Sequence, residues 1–198
     1  ILDVRDKISF VEGFIPNAIF IGLDGSFAPW VGALIKDLMQ PILIVAPEGR
    51  EEETIKRLAR VGYDNAIGYL EGGFQAWKDS GAEYDQIETI DLNALAQAFK
   101  REPEIAIMDV RKPSEWTAEQ IDGSINIPLD FINERMSEIS KEKTYYMHCR
   151  SGYRSTVAAS ILKARGFENL INVHAAVAQM KAARLPMTDF VCPSTGAS

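Results

Sequence analysis

The chain carries one sequence pattern twice, and this restricts it to an architecture of two small copies. Ile1-Leu2-Asp3-Val4-Arg5 matches Ile107-Met108-Asp109-Val110-Arg111; at the same offset of 106 residues, Ile15, Ile19 and Ile21 match Ile121, Ile125 and Ile127. Further along, Arg60-Val61-Gly62-Tyr63-Asp64-Asn65 matches Ala164-Arg165-Gly166-Phe167-Glu168-Asn169 in the same order. A period of about 105 residues is the size of a domain, not of a solenoid repeat.

Each copy alternates short apolar strands with helical patterns. In the second, Asp91 is placed to cap a helix running through Lys100, with Leu92, Leu95, Ala96 and Phe99 on one face. Strand 105–109, a short helix near 113–118, strand 125–127, a helix near 129–139 opened by Asp130, strand 143–148, helix 152–166, strand 170–173 and helix 175–183 follow. This alternation predicts an α/β fold, with a mainly parallel central sheet and helices on both faces in each copy. The first copy has no counterpart of the 91–104 helix and its lead-in, so it reads as N-terminally incomplete. The copies divide as 1–85 and 86–198, across a mostly polar stretch between Gly81 and Thr89.

Composition narrows the function classes. Hydrophobic residues make up 46% of the 198, enough to pack a core, and the net charge of −7 argues against a general nucleic-acid binder. All of that excess sits in residues 1–90, with 8 Lys and Arg against 15 Asp and Glu; residues 91–198 carry 13 of each. The second copy therefore lacks the acidic excess that would repel an anionic substrate. Two cysteines, Cys149 and Cys192, are too few for a disulfide framework and point to a reducing, cytoplasmic setting. With only His148 and His174 beside them, no Cys/His cluster has metal-ligand spacing, and no cofactor is expected in this chain. The apolar runs are far shorter than a membrane span, so no membrane partner is expected.

The chemistry concentrates in Cys149-Arg150-Ser151-Gly152-Tyr153-Arg154, between the strand-like run Thr144–His148 and the helical pattern from Thr156. A cysteine between a strand end and a helix start sits among backbone N–H groups and at the positive end of a helix dipole. Such surroundings favour the thiolate, the nucleophilic form of sulfur. Ligands in parallel α/β folds also bind at the carboxyl ends of strands. Aligned on strand and glycine, the first copy places Ala46-Pro47-Glu48-Gly49-Arg50-Glu51 against this loop. Loop length is kept, the nucleophile is lost, and Glu48, Glu51, Glu52 and Glu53 reverse the charge. The first copy is expected to be inactive, serving either a structural role or as an acidic surface.

A Cys-x4-Arg loop on a strand-to-helix turn suits phosphoryl transfer to cysteine or sulfane-sulfur transfer through a cysteine persulfide. Both use backbone N–H groups to cradle an anion. Tyrosine-phosphatase loops place five residues between Cys and Arg around a tetrahedral phosphate. Here there are four, Arg150 to Tyr153, and the tighter ring suits a terminal sulfur better. A phosphatase or arsenate reductase on a related fold, and a non-catalytic sulfur-carrier or binding module, remain as alternatives.

At these residues the chain resembles the rhodanese family of sulfurtransferases. The matching elements are Asp109-Val110-Arg111, Glu115-Trp116, Ile125-Asn126-Ile127-Pro128, the loop from His148 to Ser155, and Gly166-Phe167-Glu168-Asn169. In the first copy, Leu70-Glu71-Gly72-Gly73-Phe74-Gln75-Ala76-Trp77 is similar to a rhodanese domain ending. The resemblance implies that Cys149 takes sulfane sulfur from thiosulfate or a low-molecular-weight persulfide and passes it to a thiol. The substrate-binding residues it implies are Arg150, Ser151, Gly152, Tyr153, Arg154 and Ser155, with Arg150 and Arg154 on the anionic part of the donor; an internal salt bridge is the other reading of Arg154. Asp109, Arg111 and Glu115 read as structural, because Asp3-Val4-Arg5 repeats their pattern in the copy without a nucleophile. His148 points to the opposite strand face from its neighbour, which argues against a general base. Cys192, in Val191-Cys192-Pro193, reads as a tail cysteine, with a resolving thiol as the alternative. The second copy has Ala175-Ala176 where the first has Gly72-Gly73. Either alanine is strained at a positive φ there, or the helix begins earlier.

Three further segments, 27–34, 48–53 and 188–195, resemble the C-terminal region of bacterial fusions in which a metallo-β-lactamase-fold persulfide dioxygenase precedes rhodanese domains. That likeness implies an upstream domain holding an iron site, with none of the iron ligands in this chain.

Overall fold

The computed structural model describes residues 1–192. The Pro193, Ser194 and Thr195 of the tail segment lie outside the described residues. The described residues form two compact units, Ile1–Ile87 with Lys163–Arg165, and Glu88–Leu162 with the residues from Gly166 onward.

The first unit contains β1 (Leu2–Asp3), α1 (Lys7–Glu12), β2 (Ile19–Phe20), α2 (Phe27–Leu34), β3 (Ile42–Val45), α3 (Glu51–Ala59), β4 (Ala66–Tyr69) and α4 (Gly73–Asp79). Its four strands are all parallel, in the order β2-β1-β3-β4. Asp6 opens α1 by accepting hydrogen bonds from the Ile8 and Ser9 N–H groups, both at 3.0 Å. Phe10 stacks on Phe14 at 4.3 Å between ring centroids and packs against Phe20 at 4.9 Å, at the centre of the unit's core.

The second unit contains β5 (Glu88–Ile90), α5 (Leu92–Arg101), β6 (Ala106–Asp109), α6 (Pro113–Ala118), β7 (Ile125–Asn126), β8 (Tyr145–His148), α7 (Tyr153–Lys163), β9 (Leu170–Val173) and α8 (Val177–Ala182). Its sheet, again all parallel, runs β5-β9-β8-β6-β7. Removing β5 leaves the topology of the first unit, with β6, β7, β8 and β9 standing for β1, β2, β3 and β4. Most of β8 is buried whichever way its side chains alternate, as expected for a parallel strand covered on two faces. Leu95 of α5 packs with Ile107, Ile121, Val173, Met180 and Leu185 in the main core cluster. Nothing among residues 1–87 corresponds to β5 and α5. Accordingly Ile1 is 44% exposed where its counterpart Ile107 is 3% exposed.

Three sequence expectations are corrected. No helix spans 129–139; two short 3₁₀ turns, Leu129–Phe131 and Met136–Glu138, stand there instead. Their backbone bonds, Ile132 to Leu129, Glu138 to Arg135 and Ile139 to Met136, link residues three apart. The α7 helix stops at Lys163 rather than 166, and the Phe167 N–H closes its end on the Leu162 carbonyl at 3.1 Å. The last helix runs Val177–Ala182, not 175–183.

The turn before that helix also differs from both sequence readings. Gly72 and Gly73 adopt φ of 70° and 61°, and a Cβ on Gly72 would stand 2.9 Å from that of Ala76. Ala176 instead has φ −83° and ψ 147°, and the helix begins one residue later than in the first unit by the loop alignment. The second copy thus avoids strain by following a different path.

Candidate active site

Strand order places the site. From β6 the chain crosses to β7 on one side, and from β8 to β9 on the other. The topological switch therefore lies between the carboxyl ends of β6 and β8, where parallel α/β sheets bind ligands. Asp109-Val110-Arg111 leaves one of those ends and Cys149 the other, joined by the Val110 N–H donating to the His148 carbonyl at 3.1 Å. Cys149 is a free thiol and fully buried. Gly152 turns the loop at φ 82°, a conformation that favours glycine, and α7 begins at Tyr153.

The loop residues separate into exposed and anchored. Arg150 and Ser151 are exposed, Tyr153 is half-buried, and Gly152 and Ser155 are buried. Arg150 makes no ion pair with any described residue. Arg154 is engaged: its two terminal nitrogens meet both Glu115 carboxylate oxygens, at 2.6 and 3.0 Å. The hydrogen bonds from Arg154 hold the Glu115 carboxyl below its ordinary range, and the same pairing raises Arg154. Glu115 also accepts from the Lys112 N–H at 3.2 Å, which closes the first turn of α6.

This ion pair carries a pH signature. Because Glu115 is lowered in the folded protein, the pair's stabilisation is present above the unfolded carboxyl value of about 4.3 and is lost as pH falls through the folded value. Glu115→Gln is expected to cost about 1 kcal/mol at pH 7, a partly exposed pair. Urea titrations of both proteins should show that gap closing as the pH drops below 4.

Beneath the loop lies a buried carboxylate–guanidinium pair that both units share. Arg111 grips Asp109 at 2.6–3.0 Å and donates to the Glu119 carbonyl at 2.7 Å. Arg5 grips Asp3 at 2.7–3.1 Å and donates to the Gly13 carbonyl at 2.7 Å. Asp109 and Arg111 thus make the same pair, at the end of the equivalent strand, as Asp3 and Arg5 make in the unit without a cysteine. His148 is 1% exposed, its Nε2 3.6 Å from Asp109 Oδ2, and burial lowers its pKa. The unfolded chain takes up a proton on this imidazole below about pH 6.5 while the folded chain resists it, so stability falls as pH drops through that value and is indifferent to this group above it. Denaturation midpoints measured between pH 7.5 and 5.5 should fall for the wild type and fall less for His148→Gln.

Sequence reasoning did not pair Glu115 with Arg154, which lie 39 residues apart with no local spacing to link them. It also passed over Thr156 and Asn172. Thr156 Oγ1 donates to the Gly152 carbonyl at 2.8 Å, and Asn172 Nδ2 donates to Thr156 Oγ1 at 3.3 Å. Asn172 could have been noticed as an amide on a strand otherwise made of Leu170, Ile171 and Val173. Cys192 is exposed, next to Val191, whose N–H donates to the Ala118 carbonyl at the end of α6. Among the described residues no group of His, Cys, Asp and Glu has the arrangement of a metal site, and no helix is long and apolar enough to cross a membrane.

The first unit's loop keeps the turn but has no cysteine. Gly49 has φ 78°, against 82° for Gly152, and Ala46 is buried at the position of Cys149. Arg50 is tied to Asp24 at 2.7 Å and to Glu53 at 2.9 Å.

A family model for the rhodanese-like domain matches residues 1–80 and again residues 91–183. Over 94 residues the chain is 34% identical to the putative sulfur carrier protein YrkF of Bacillus subtilis, covering 48% of this chain and 51% of that protein. Over 91 residues it is 30% identical to a sulfurtransferase of Allochromatium vinosum, covering 46% of this chain and 85% of that protein. The chain thus spans about half the length of the first relative and most of the second. Among solved structures, a thiosulfate sulfurtransferase from Pseudomonas aeruginosa covers 96% of this chain and 40% of its own, at 18% identity and a TM-score of 0.43.

Proposed function

Because this chain belongs to the rhodanese-like domain family, we propose that its second unit is a sulfurtransferase working through a persulfide on Cys149, and that its first unit takes no sulfur. The observation that carries this reading is the contrast between two loops of equal length and equal glycine geometry, of which one holds a cysteine and the other Ala46.

The Cys149 thiolate attacks the outer sulfur of thiosulfate. A Cys–S–S bond forms, the donor S–S bond breaks, and its electron pair leaves with sulfite. A persulfide donor reacts in the same way and releases a thiolate. In the second step an acceptor thiolate attacks the terminal sulfur, and Cys149 leaves as thiolate. No external oxidant or reductant is consumed, and the two half-reactions give ping-pong kinetics. Arg150, exposed and unpaired among the described residues, receives the anionic end of the donor. Arg154 supplies fixed positive charge while held by Glu115. Gly152, Ser151, Tyr153 and Ser155 shape the ring of backbone N–H groups.

The likeness of segments 27–34, 48–53 and 188–195 to regions downstream of a persulfide dioxygenase supports a low-molecular-weight persulfide as the natural donor and a fusion to such a domain. A carrier reading, in which Cys149 holds sulfur for one specific acceptor, has the support of the Bacillus relative's name. Initial rates with thiosulfate and with glutathione persulfide, each against a varied thiol, decide among these. Parallel double-reciprocal lines are expected, with a higher kcat/KM for the persulfide. Turnover of a phosphate ester without sulfur uptake would instead identify a phosphatase.

A further inference from the structure

We infer that Thr156 and Asn172 are positioning residues of the sulfur site, holding the Gly152 carbonyl down against α7 so that the loop peptide faces the sulfur correctly. The inference rests on the sulfurtransferase reading and concerns residues that neither contact the donor nor belong to the Cys149–Ser155 loop.

The Gly152 carbonyl is held by three donors. The Thr156 N–H reaches it at 3.1 Å, Thr156 Oγ1 at 2.8 Å and Ser155 Oγ at 3.2 Å. Thr156 Oγ1 in turn accepts from Asn172 Nδ2 at 3.3 Å, so the hydroxyl's direction is set from β9, outside its own helix. Across a trans peptide the carbonyl and the following N–H point in opposite directions. Pinning the Gly152 oxygen into the helix therefore turns the Tyr153 N–H out of the helix N-terminus, the direction from which an anionic sulfur is held. A donor fixed in advance stabilises charge without reorganising during the reaction.

A hydroxyl bonded to a carbonyl one turn back is common in helices and often only local. Two observations separate this case. Asn172 is 2% exposed; its Nδ2 donates to Thr156 Oγ1 at 3.3 Å and reaches Thr89 Oγ1 at 3.5 Å, while its Oδ1 has no hydrogen-bond partner among the described residues, so this costly buried amide uses only its donor side. The first unit supplies the comparison: its α3 opens with the same kind of bond, Thr54 Oγ1 donating to the Arg50 carbonyl at 2.8 Å, but the position of Asn172 is held by Tyr69. The hydroxyl tied back to the carbonyl before the helix is common to both units, and the strand amide that reaches that hydroxyl is present only where the cysteine is.

The test compares wild type, Thr156→Val, Thr156→Ser, Asn172→Leu and the Thr156→Val/Asn172→Leu pair. The readouts are kcat and KM for sulfur transfer from thiosulfate, sulfur retained on Cys149 by intact mass after donor removal, and the thermal midpoint. Thr156→Val is expected to lower kcat roughly tenfold, less than loss of a direct donor. It should leave the thiosulfate KM within about twofold and shed its sulfur faster. Thr156→Ser should restore kcat, and Asn172→Leu should add little in the Thr156→Val background, because it acts through the same hydroxyl. An unchanged kcat in Thr156→Val, failure of serine to rescue, full additivity of the pair, or a kcat loss that only tracks loss of folded protein would each overturn the inference. Wild type that takes up no sulfur removes the function reading and this inference with it, whereas wild-type uptake with an unaffected Thr156→Val defeats the inference alone.

Discussion

Cys149→Ser is expected to lower sulfur transfer by about a thousandfold or more, the scale on which loss of a covalent nucleophile acts. The serine oxygen offers no thiolate, so the donor S–S bond has nothing to attack it and no persulfide forms. The change is nearly isosteric at a fully buried position, so the unfolding midpoint should stay close to that of wild type. The companion variant Ala46→Cys is expected to gain nothing. Its loop has the glycine turn, but Glu48, Glu51, Glu52 and Glu53 surround it, and Arg50 is committed to Asp24 and Glu53. Steady-state rates of both variants beside wild type check the pair, and measurable transfer by the Cys149→Ser protein would remove Cys149 from the mechanism.

Asp109→Ala should produce the largest loss of stability, about 3–5 kcal/mol, because it leaves the Arg111 guanidinium buried without its partner. For a chain of this size that lowers the second unit's thermal midpoint by about 10 °C or more. Replacing both partners, Asp109→Leu with Arg111→Met, should recover much of the loss, since two matched apolar groups leave no orphaned charge. Activity separates structure from chemistry here. Asp3→Ala removes the equivalent carboxylate from the unit with no nucleophile, and should destabilise that unit while sparing the sulfur-transfer rate per folded second unit. Calorimetry with activity measured on the same samples tests both statements. A stable Asp109→Ala protein would show that the buried pair does not stabilise the second unit.

Much of this was legible in the residues. The repeat gave the parallel sheets because strand patterns and polar turns recur at fixed offsets, and the β5-less order of the first unit follows from the missing counterpart of 91–104. The cysteine loop was readable because its chemistry is local: nucleophile, glycine and arginines lie within six consecutive positions. What failed was periodicity without enough backbone bonding. Leu129, Ile132 and Ile139 mimic a helix face, but the Leu129 N–H donates to the Val110 carbonyl and Arg135 reaches the Asn126 carbonyl, which ties the segment into tight turns. The Glu115–Arg154 bridge and the Asn172–Thr156 link were invisible for another reason. Each joins elements that are close only once β6, β8 and β9 are side by side.

The most direct test is the intact mass of the protein after exposure to thiosulfate and, separately, to glutathione persulfide, followed by mapping of the modified peptide. A gain of one sulfur atom, located on Cys149 and absent from Cys149→Ser, is the predicted result. A protein that gains no sulfur from either donor, or that carries it on Cys192 instead, would contradict the assignment of Cys149 as the sulfur carrier.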